Sequence, residues 1–537
     1  MSTAAEVRRG SGPHRATLTT LPEPTRSLRW AAALVTVVFA LATLRMAWYG
    51  DDWLITLRTS LNAIHGNGLG YNPDERVAAY THPLWFLLIT LIGWLVGSWV
   101  LPVILVSVAL ATAAVAIMVF RVRSFAALLF IGLTVTLSNT ILTWSTGGLE
   151  GALAAALVCL LIAWVPRDST SVMAVGGWGV VASLIMLTRL DLLLLILPLL
   201  IWAAVNSRHE LRRLLALLAG ALVPLCAWLL FSWSYYGSAL PNTFAAKTNV
   251  DIPQSEMIGQ GLFYLWYCLR FDPLLAIAVM GALGAVVISR NLKAAVVLGG
   301  VGAYLAYVVW VGGDFMAGRF LYVPMVAALS AIVIASRGHV GGPPVWNAGF
   351  NAGSVILIVA AFATSLGLRT DTSTSLPIER GVTDERTFWL VAAHTNVFEG
   401  FPAIATPPAV QAMDRGSLEE QADAWQQVGP GVPRISNTQY AGLGYWGMRL
   451  GPAIHMIDLC ALTDRFLALQ TFVPSDAPTR AGDEVLYSGP GWRIGHYGRM
   501  LPEGYVEAIM WRDPDRLEDP ALREELRSVW STIRDAG

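Results

Sequence analysis

The sequence is poor in charged residues, and this scarcity argues against an ordinary soluble protein. Only 14% of its 537 residues are Asp, Glu, Lys or Arg, whereas soluble domains carry about 25%. The formal net charge is −1, so no basic excess indicates a nucleic-acid partner. Hydrophobic residues make up 55% of the chain, and apolar runs near the ~20 residues that cross a bilayer recur along it. These properties predict a polytopic, all-α membrane protein embedded in a lipid bilayer.

Several motifs of well-known enzyme classes are also missing. The four cysteines show no CxxC spacing, and there is no HExxH, Walker-type glycine-rich loop, GxSxG or Cys/His metal pattern. Their absence argues against a metalloprotease, an ATPase or kinase, and a serine hydrolase. No loop has the composition of a nucleotide-sugar site.

About eleven apolar runs are predicted to span the membrane. They cover residues 30–49, 101–120, 126–144, 151–165, 172–188, 192–205, 214–233, 273–288, 294–311, 320–335 and 348–368. A further run from His82 is predicted to lie at the membrane without crossing it. The positive-inside rule supports this choice, because it places basic loop residues such as Arg121, Arg167 and Arg290 on the cytoplasmic side. The N-terminus is then inside and the C-terminus outside.

The same reading divides the chain into three parts. Residues 1–29 are polar and basic and are predicted to form a disordered cytoplasmic tail. Residues 30–368 are predicted to form the transmembrane domain, with a first extracytoplasmic loop at 50–100. Residues 369–537 have ordinary charge density and are predicted to form an extracytoplasmic soluble domain, mixed α/β or β-rich.

Two adjacent acids, Asp51 and Asp52, follow the first predicted span and begin an amphipathic helix with Arg58 on its polar face. Such a helix can lie in the membrane interface with its apolar stripe towards the lipid. One acid can serve simply as the helix N-cap. Alternatively, a carboxylate at this position accepts a proton from a sugar hydroxyl or holds a cation.

Other ionisable and polar residues lie where predicted spans end, on the same predicted face. Charges at membrane depth are costly and suggest function, although mutual structural pairs, a surface lysine and a hydrogen-bonded histidine are the simpler alternatives. The residues are His82, Glu150, Arg189, Asp191, Asn242, Lys247, Asp314 and Arg319. The arginines and Lys247 are suited to clamping a phosphate.

A resemblance to a known family lies in "DDWLITLRTSLNAIHGNGLGYNPDERVAAYTHPLW" from Asp51. This stretch resembles the first loop of C-type (GT-C) membrane glycosyltransferases. The likeness continues in "STGGLEG", "TRLD", "YYGSALPNTFAAK", "GGDFMAGR" and "GWRIGHYGRMLPEGY". Together these motifs are most similar to actinobacterial terminal β-(1→2)-arabinofuranosyltransferases. Leu190 stands in "TRLD" where relatives usually have proline.

The resemblance implies a GT-C fold and a polyprenyl-phosphate donor, decaprenyl-phosphoryl arabinofuranose. It implies an arabinan acceptor in cell-wall arabinogalactan or lipoarabinomannan, with Asp51 and Asp52 as the catalytic acids. The implied donor phosphate and sugar residues are Arg58, His82, Glu150, Arg189, Asp191, Asn242, Lys247, Asp314 and Arg319. No cofactor is predicted with certainty, and a divalent cation at the acid pair stays open.

Two other functions are compatible with the sequence. One is a mannosyltransferase that uses polyprenyl-phosphate mannose, because the first-loop motif serves both sugars. The other is a transporter of lipid-linked glycans. A transporter is expected to show inverted repeats and polar residues at mid-span, whereas here the ionisable residues lie at span ends and no repeat is found.

Overall fold

The computed structural model describes most of the chain. The described residues are 25–166, 170–336, 347–359, 378–393, 418–428, 435–439, 442–475, 479–481, 484–487 and 491–533. Residues 1–24 of the predicted N-terminal tail lie outside them, whereas residues 26–29, also predicted as tail, form the start of the first helix. Up to residue 359 the described chain is mainly helical, as predicted.

Sixteen helices precede residue 360 in the described ranges. They are α1 (Arg26–Arg45), α2 (Asp51–Ile64), α3 (Pro83–Val96), α4 (Val100–Val119), α5 (Phe125–Leu137), α6 (Asn139–Trp144), α7 (Gly151–Ala163), α8 (Val172–Thr188), α9 (Leu193–Ser207), α10 (Leu211–Tyr236), α11 (Asn242–Thr248), α12 (Gln254–Phe271), α13 (Leu274–Ser289), α14 (Leu292–Trp310), α15 (Arg319–Ser336) and α16 (Asn347–Val359). A short 3-10 turn, Leu190–Leu192, precedes α9.

Several of these helices begin or end at residues that cap helix termini. The side chains of Ser124, Ser171 and Asn291 accept N–H groups in the first turns of α5, α8 and α14, which satisfies donors that otherwise lack a partner. Gly97 and Gly237 end α3 and α10 with φ of 69° and 67°, a conformation that glycine adopts without steric cost.

Among the described residues, six helices are long and apolar enough to cross a membrane, or seven spans result if the bent pair α12–α13 counts as one. The six are α1, α4, α10, α14, α15 and the stretch Leu190–Ser207. Five shorter apolar helices are α3, α5, α7, α8 and α16. A polytopic membrane protein is thus confirmed, whereas the count of eleven crossings and their orientation stay predictions.

Two predicted elements differ from the structure. The run 126–144 is two helices, because the chain turns at Ser138, which caps α6. A helix preceding the run 273–288, α12, was not predicted; it meets α13 at 98°. Both breaks share one residue, Asp272, whose carboxylate accepts hydrogen bonds from Ser138 Oγ at 2.5 Å and Thr140 N at 2.9 Å. At the α12–α13 break its Oδ1 accepts the N–H of Leu274 at 3.2 Å, so a single acid satisfies polar groups at two interruptions.

Helix α15 lies at the centre of the bundle. It packs against α4, α5, α6, α7, α13 and α14, and nearly all its residues are buried. Its N-terminus carries Arg319, so the packing of this helix places that guanidinium among the surrounding helix ends.

Beyond residue 378, the described chain mixes helices and short strands. These are α17 (Glu385–Ala393), α18 (Leu418–Asp423), β1 (Ile435–Gln439), α19 (Leu443–Leu450), β2 (Ile454–Asp458), α20 (Arg465–Leu469), β3 (Thr479–Ala481), β4 (Glu484–Tyr487), α21 (Tyr505–Trp511) and α22 (Pro520–Ile533). Strands β1 and β2 are parallel, with Ile435 opposite Ile454, and β3 and β4 are antiparallel.

The helix after the first span, α2, is more enclosed than its amphipathic pattern indicated. Its apolar stripe of Leu54, Leu57 and Leu61 is buried, but so are Arg58 and Asn62 on the polar face. Helix α19 packs along α2, and a protein element therefore covers the face expected to meet solvent.

The packing of α9 on α14 gives a matched test of the bundle. A Cβ at Gly300 would lie 2.0 Å from the backbone oxygen of Leu195, whereas one at Gly299 meets nothing within 4 Å. We expect Gly300→Ala to lower the free energy of unfolding by ~1–3 kcal/mol through overpacking. Gly299→Ala should leave it unchanged or raise it slightly. Thermal unfolding in detergent measures both; equal unfolding temperatures would contradict this packing.

Candidate active site

The first predicted acid, Asp51, is hydrogen-bonded to helix α19 in the C-terminal part of the chain. Its carboxylate accepts hydrogen bonds from the backbone N–H groups of Gly444 at 3.1 Å and Tyr445 at 2.7 Å, in the first turn of α19. An acid at a helix N-terminus is favourable because it meets both unpaired donors and the positive end of the helix dipole. Burial raises the pKa of Asp51 to about 7, and both donors oppose that rise.

Arg58 is bound to the other end of the same helix. Its guanidinium donates to the carbonyls of Gly447, Gly451 and Ile454, with distances of 2.9 Å to the latter two. It also donates to the carbonyl of Tyr71 at 2.9 Å. Arg58 is completely buried, and its guanidinium is hydrogen-bonded to backbone carbonyls. It therefore holds α19 in place and does not join the other predicted phosphate-binding residues.

The second predicted acid, Asp52, faces a different environment. Its side chain is 32% exposed, and its Oδ2 lies 3.3 Å from Nη1 of Arg319. Nε of Arg319 lies 3.1 Å from Oδ2 of Asp314, so the guanidinium lies between two carboxylates. Burial raises the pKa of Asp52, whereas Arg319 and Lys247 act to lower it.

Lys247 belongs to the same group but forms no direct pair. It is one of only two lysines in the sequence and lies in the last turn of α11, exposed. Within the described ranges no hydrogen bond or ion pair involves its ammonium group. Partial loss of hydration next to the surrounding protein lowers the pKa of Lys247, while attraction to Asp314 opposes that effect.

The remaining predicted ions form a second, fully paired network. Nδ1 of His82 lies 3.1 Å from Glu150, and Glu150 lies 3.4 Å from Nη1 of Arg189. Arg189 also pairs with Asp191 at 2.6 Å, and the hydroxyl of Tyr304 donates to Asp191 at 2.7 Å. Although burial raises it, the pKa of Glu150 is held well below its usual range by His82 and Arg189.

The two networks meet at Phe320. The guanidinium carbon of Arg189 lies 4.7 Å from the centre of its ring and that of Arg319 lies 5.5 Å away. Such contacts favour a cation against an aromatic face. Eight predicted residues therefore lie in one region: Asp52, His82, Glu150, Arg189, Asp191, Lys247, Asp314 and Arg319.

Asn242 lies apart from this region. Its amide donates to the carbonyls of Ala461 at 2.8 Å and Asp464 at 3.0 Å, and its backbone N–H donates to Ala78. These bonds join the start of α11 to the loop after β2. Asn242 thus positions the helix that carries Lys247, rather than contacting the ion network itself.

One acid near Asp52 was missed by sequence reasoning, namely Glu385. The backbones of Thr383 and Met316 form a bridge, which brings the start of α17 beside the loop that carries Asp314. Burial raises the pKa of Glu385 to about 8, with Arg493 opposing and Asp52 adding to the rise. Nothing in the local sequence identified Glu385, since only a contact across some 70 residues brings it here.

A cavity of about 680 Å³ lies at the opposite end of α19 from Asp51, not at the ion network. It is lined by residues 420–428 and 448–453, including Trp425, Gln421 and Gln427. Helix α19 has 8 residues and so spans roughly 12 Å between the two places.

The two adjacent acids should differ sharply when each is replaced. Asp51→Ala removes the partner of two buried N–H groups, and we expect a loss of ~1–2 kcal/mol in the free energy of unfolding. Asp52→Ala should change it by no more than ~0.5 kcal/mol, since Asp52 is partly exposed. Thermal unfolding of both variants tests this, and a larger loss for Asp52→Ala would contradict the assignment.

Glu385 should make stability depend on pH. The native state keeps its proton up to about pH 8, but the unfolded chain loses it near 4.5. Between these values the native state binds more protons, so stability falls as pH rises. Glu385→Gln should flatten that fall, measured as unfolding temperatures between roughly pH 5 and 8. Exposed Glu503→Gln is the control, and an unchanged slope for Glu385→Gln would refute the assignment.

No family model matches this chain. A relative from Mycobacterium tuberculosis, named terminal beta-(1->2)-arabinofuranosyltransferase, is 26% identical over an alignment of 596 positions including gaps, which covers 94% of this chain and 92% of the relative. A relative of the same name from Corynebacterium glutamicum is 29% identical over 379 residues, covering 60% of this chain and 52% of the relative. The similarity extends over nearly the whole chain, and it confirms the resemblance to these glycosyltransferases that the sequence motifs indicated.

Proposed function

We propose that this protein transfers an arabinofuranosyl residue from decaprenyl-phosphoryl arabinofuranose to the ends of cell-wall arabinan, forming a β-(1→2) linkage. Its homologues are arabinofuranosyltransferases by name, and these are glycosyltransferases. The proposed reaction takes place at the outer face of the plasma membrane, in a multi-pass GT-C protein with its N-terminus inside and its C-terminus outside.

The observation that carries the proposal is the group formed by Asp52, Arg319 and Lys247. Arg319 uses Nη1 and Nε for the two aspartates, and the described contacts leave its Nη2 and the Lys247 ammonium without a protein partner. Two cationic donors beside an accessible carboxylate suit a substrate with one phosphate next to a reacting sugar. The charge of buried Arg189 is already neutralised by Glu150 and Asp191. That network packs against this group through Phe320.

In this scheme, each member of the group has one role. Arg319 and Lys247 bind the donor phosphate and stabilise the charge that it gains as the sugar–phosphate bond breaks. Asp52 lies at the reacting sugar. Asp51 is not available there, because its carboxylate accepts hydrogen bonds from the N-terminus of α19. Glu385 stays protonated at neutral pH and supplies a hydrogen-bond donor beside Asp52.

The acceptor saccharide is assigned to the cavity beside α19. Its lining includes the amides of Gln421, Gln426 and Gln427 and the aromatic Trp425. Amide groups can both donate to and accept from sugar hydroxyls. Because α19 also touches α2, a saccharide bound there lies along the helix that leads to the acids.

Transfer can be measured with the purified protein in nanodiscs, radiolabelled decaprenyl-phosphoryl arabinofuranose and an arabinan oligosaccharide. We expect Asp52→Asn to lower kcat by about 100-fold or more at an unchanged unfolding temperature, because a reacting-centre carboxylate is lost. Lys247→Ala should raise the donor KM about tenfold. Replacing the only other lysine, Lys293→Ala, should change neither constant.

Two outcomes would overturn the proposal. One is consumption of decaprenyl-phosphoryl mannose without consumption of the arabinosyl donor, which would identify a mannosyltransferase. The other is transfer at the parental rate by folded Asp52→Asn, which would remove Asp52 from the reaction.

A further inference from the structure

A buried cluster of metal-ligating side chains lies outside the candidate active site. It consists of Asp74 and Glu75 in the first loop and His455 on β2. One ligand atom from each lies within 4.8 Å of the other two. The side chains of Asp74 and His455 are only 4% and 1% exposed, and Glu75 is 6% exposed. These are thus not the solvated acids that commonly cluster on a surface.

The distances suit a shared cation. Nδ1 of His455 lies 3.0 Å from Oδ1 of Asp74. Two ligands of one zinc ion, each at about 2.0–2.1 Å, lie roughly 3.0–3.4 Å apart. The outermost pair of ligand atoms, now at most 4.8 Å apart, must therefore approach by up to ~1.4 Å to reach the spacing of a tetrahedral site.

The scaffold around the cluster is already in place. The side-chain amide of Asn72 donates to the carbonyl of Met456 and accepts from its N–H, both at 3.0 Å. This reciprocal pair holds the loop against β2 on one side. On the other side, the N–H of Arg76 donates to the carbonyl of Ile533 at 2.7 Å. The two acids are therefore held beside the imidazole by contacts of Asn72 and Arg76 with the backbone, and Nδ2 of Asn72 also lies 3.4 Å from Nε2 of His455.

We propose that Asp74, Glu75 and His455 form a binding site for one divalent transition-metal cation of the Zn²⁺ type. Two carboxylates and an imidazole match the ligands that zinc prefers, whereas calcium and magnesium take oxygen ligands. Binding requires a neutral imidazole with a free lone pair. The cation thus replaces the proton between His455 and Asp74 and releases it to solvent.

Such a cation joins the first loop to β2. The loop that follows β2 in turn contacts the start of α11. Asp458 at the end of β2 accepts the N–H groups of Cys460, Leu462 and Thr463. The same loop supplies the carbonyls that hold Asn242, at the start of the helix that carries Lys247. The site is separate from Asp52 and its role is structural.

The test uses the full-length protein without a histidine tag, stripped with a chelator and returned to buffer with Zn²⁺, Mn²⁺ or Ca²⁺ alone. We expect about one zinc per chain by elemental analysis after desalting. We also expect a rise of about 2–5 °C in unfolding temperature with zinc, because the cation binds the folded state. His455→Gln and the near-isosteric Glu75→Gln should lose both effects, while exposed His209→Gln keeps them.

Retention of zinc by folded Glu75→Gln at the parental level would overturn the site. So would a parent protein that binds no zinc, or one that calcium stabilises and zinc does not. If His455→Gln does not fold, Glu75→Gln decides the outcome. Because metal content is read without any sugar substrate, the result is independent of the proposed transferase activity.

Discussion

The packing of α2 against α19 is the constraint on which the candidate site depends. The two helices run side by side, and α2 supplies an acid, Asp51, to the N-terminus of α19 and a base, Arg58, to its C-terminus. Both ends of the dipole of α19 are thus satisfied by one neighbour. Close approach requires Gly444, since a Cβ there would lie 2.1 Å from the backbone oxygen of Asp51.

This packing also separates the roles of two adjacent acids. Consecutive residues of an α-helix point about 100° apart, so Asp51 cannot turn to α19 without directing Asp52 elsewhere. Asp52 meets Arg319, which the central helix α15 holds in place. The same orientation of α2 therefore buries Asp51 as a structural acid and leaves Asp52 accessible.

The ion network is possible because nearly every charge in it has a partner. Isolated charges near a membrane cost several kcal/mol, and burying them requires pairs with good geometry. Glu150, Arg189 and Asp191 meet this condition completely. Lys247 forms no direct pair in the described residues, and Nη2 of Arg319 is left over by its two aspartates, so these two cationic donors are what make the group suitable for a phosphate.

The sequence by itself determined the membrane class, the helical bundle, the similarity to arabinofuranosyltransferases and most residues of the ion network. It could do so because charges are rare in apolar runs, so those at helix ends, such as Glu150 and Arg319, stand out. Only the tertiary structure decided that Asp52 is accessible while Asp51 and Arg58 hold α19, that Asn242 positions α11, and that the start of α17 with Glu385 lies beside the loop that carries Asp314. Those assignments depend on contacts between residues that are about 70 to nearly 400 positions apart in the sequence. Such contacts cannot be predicted from local composition.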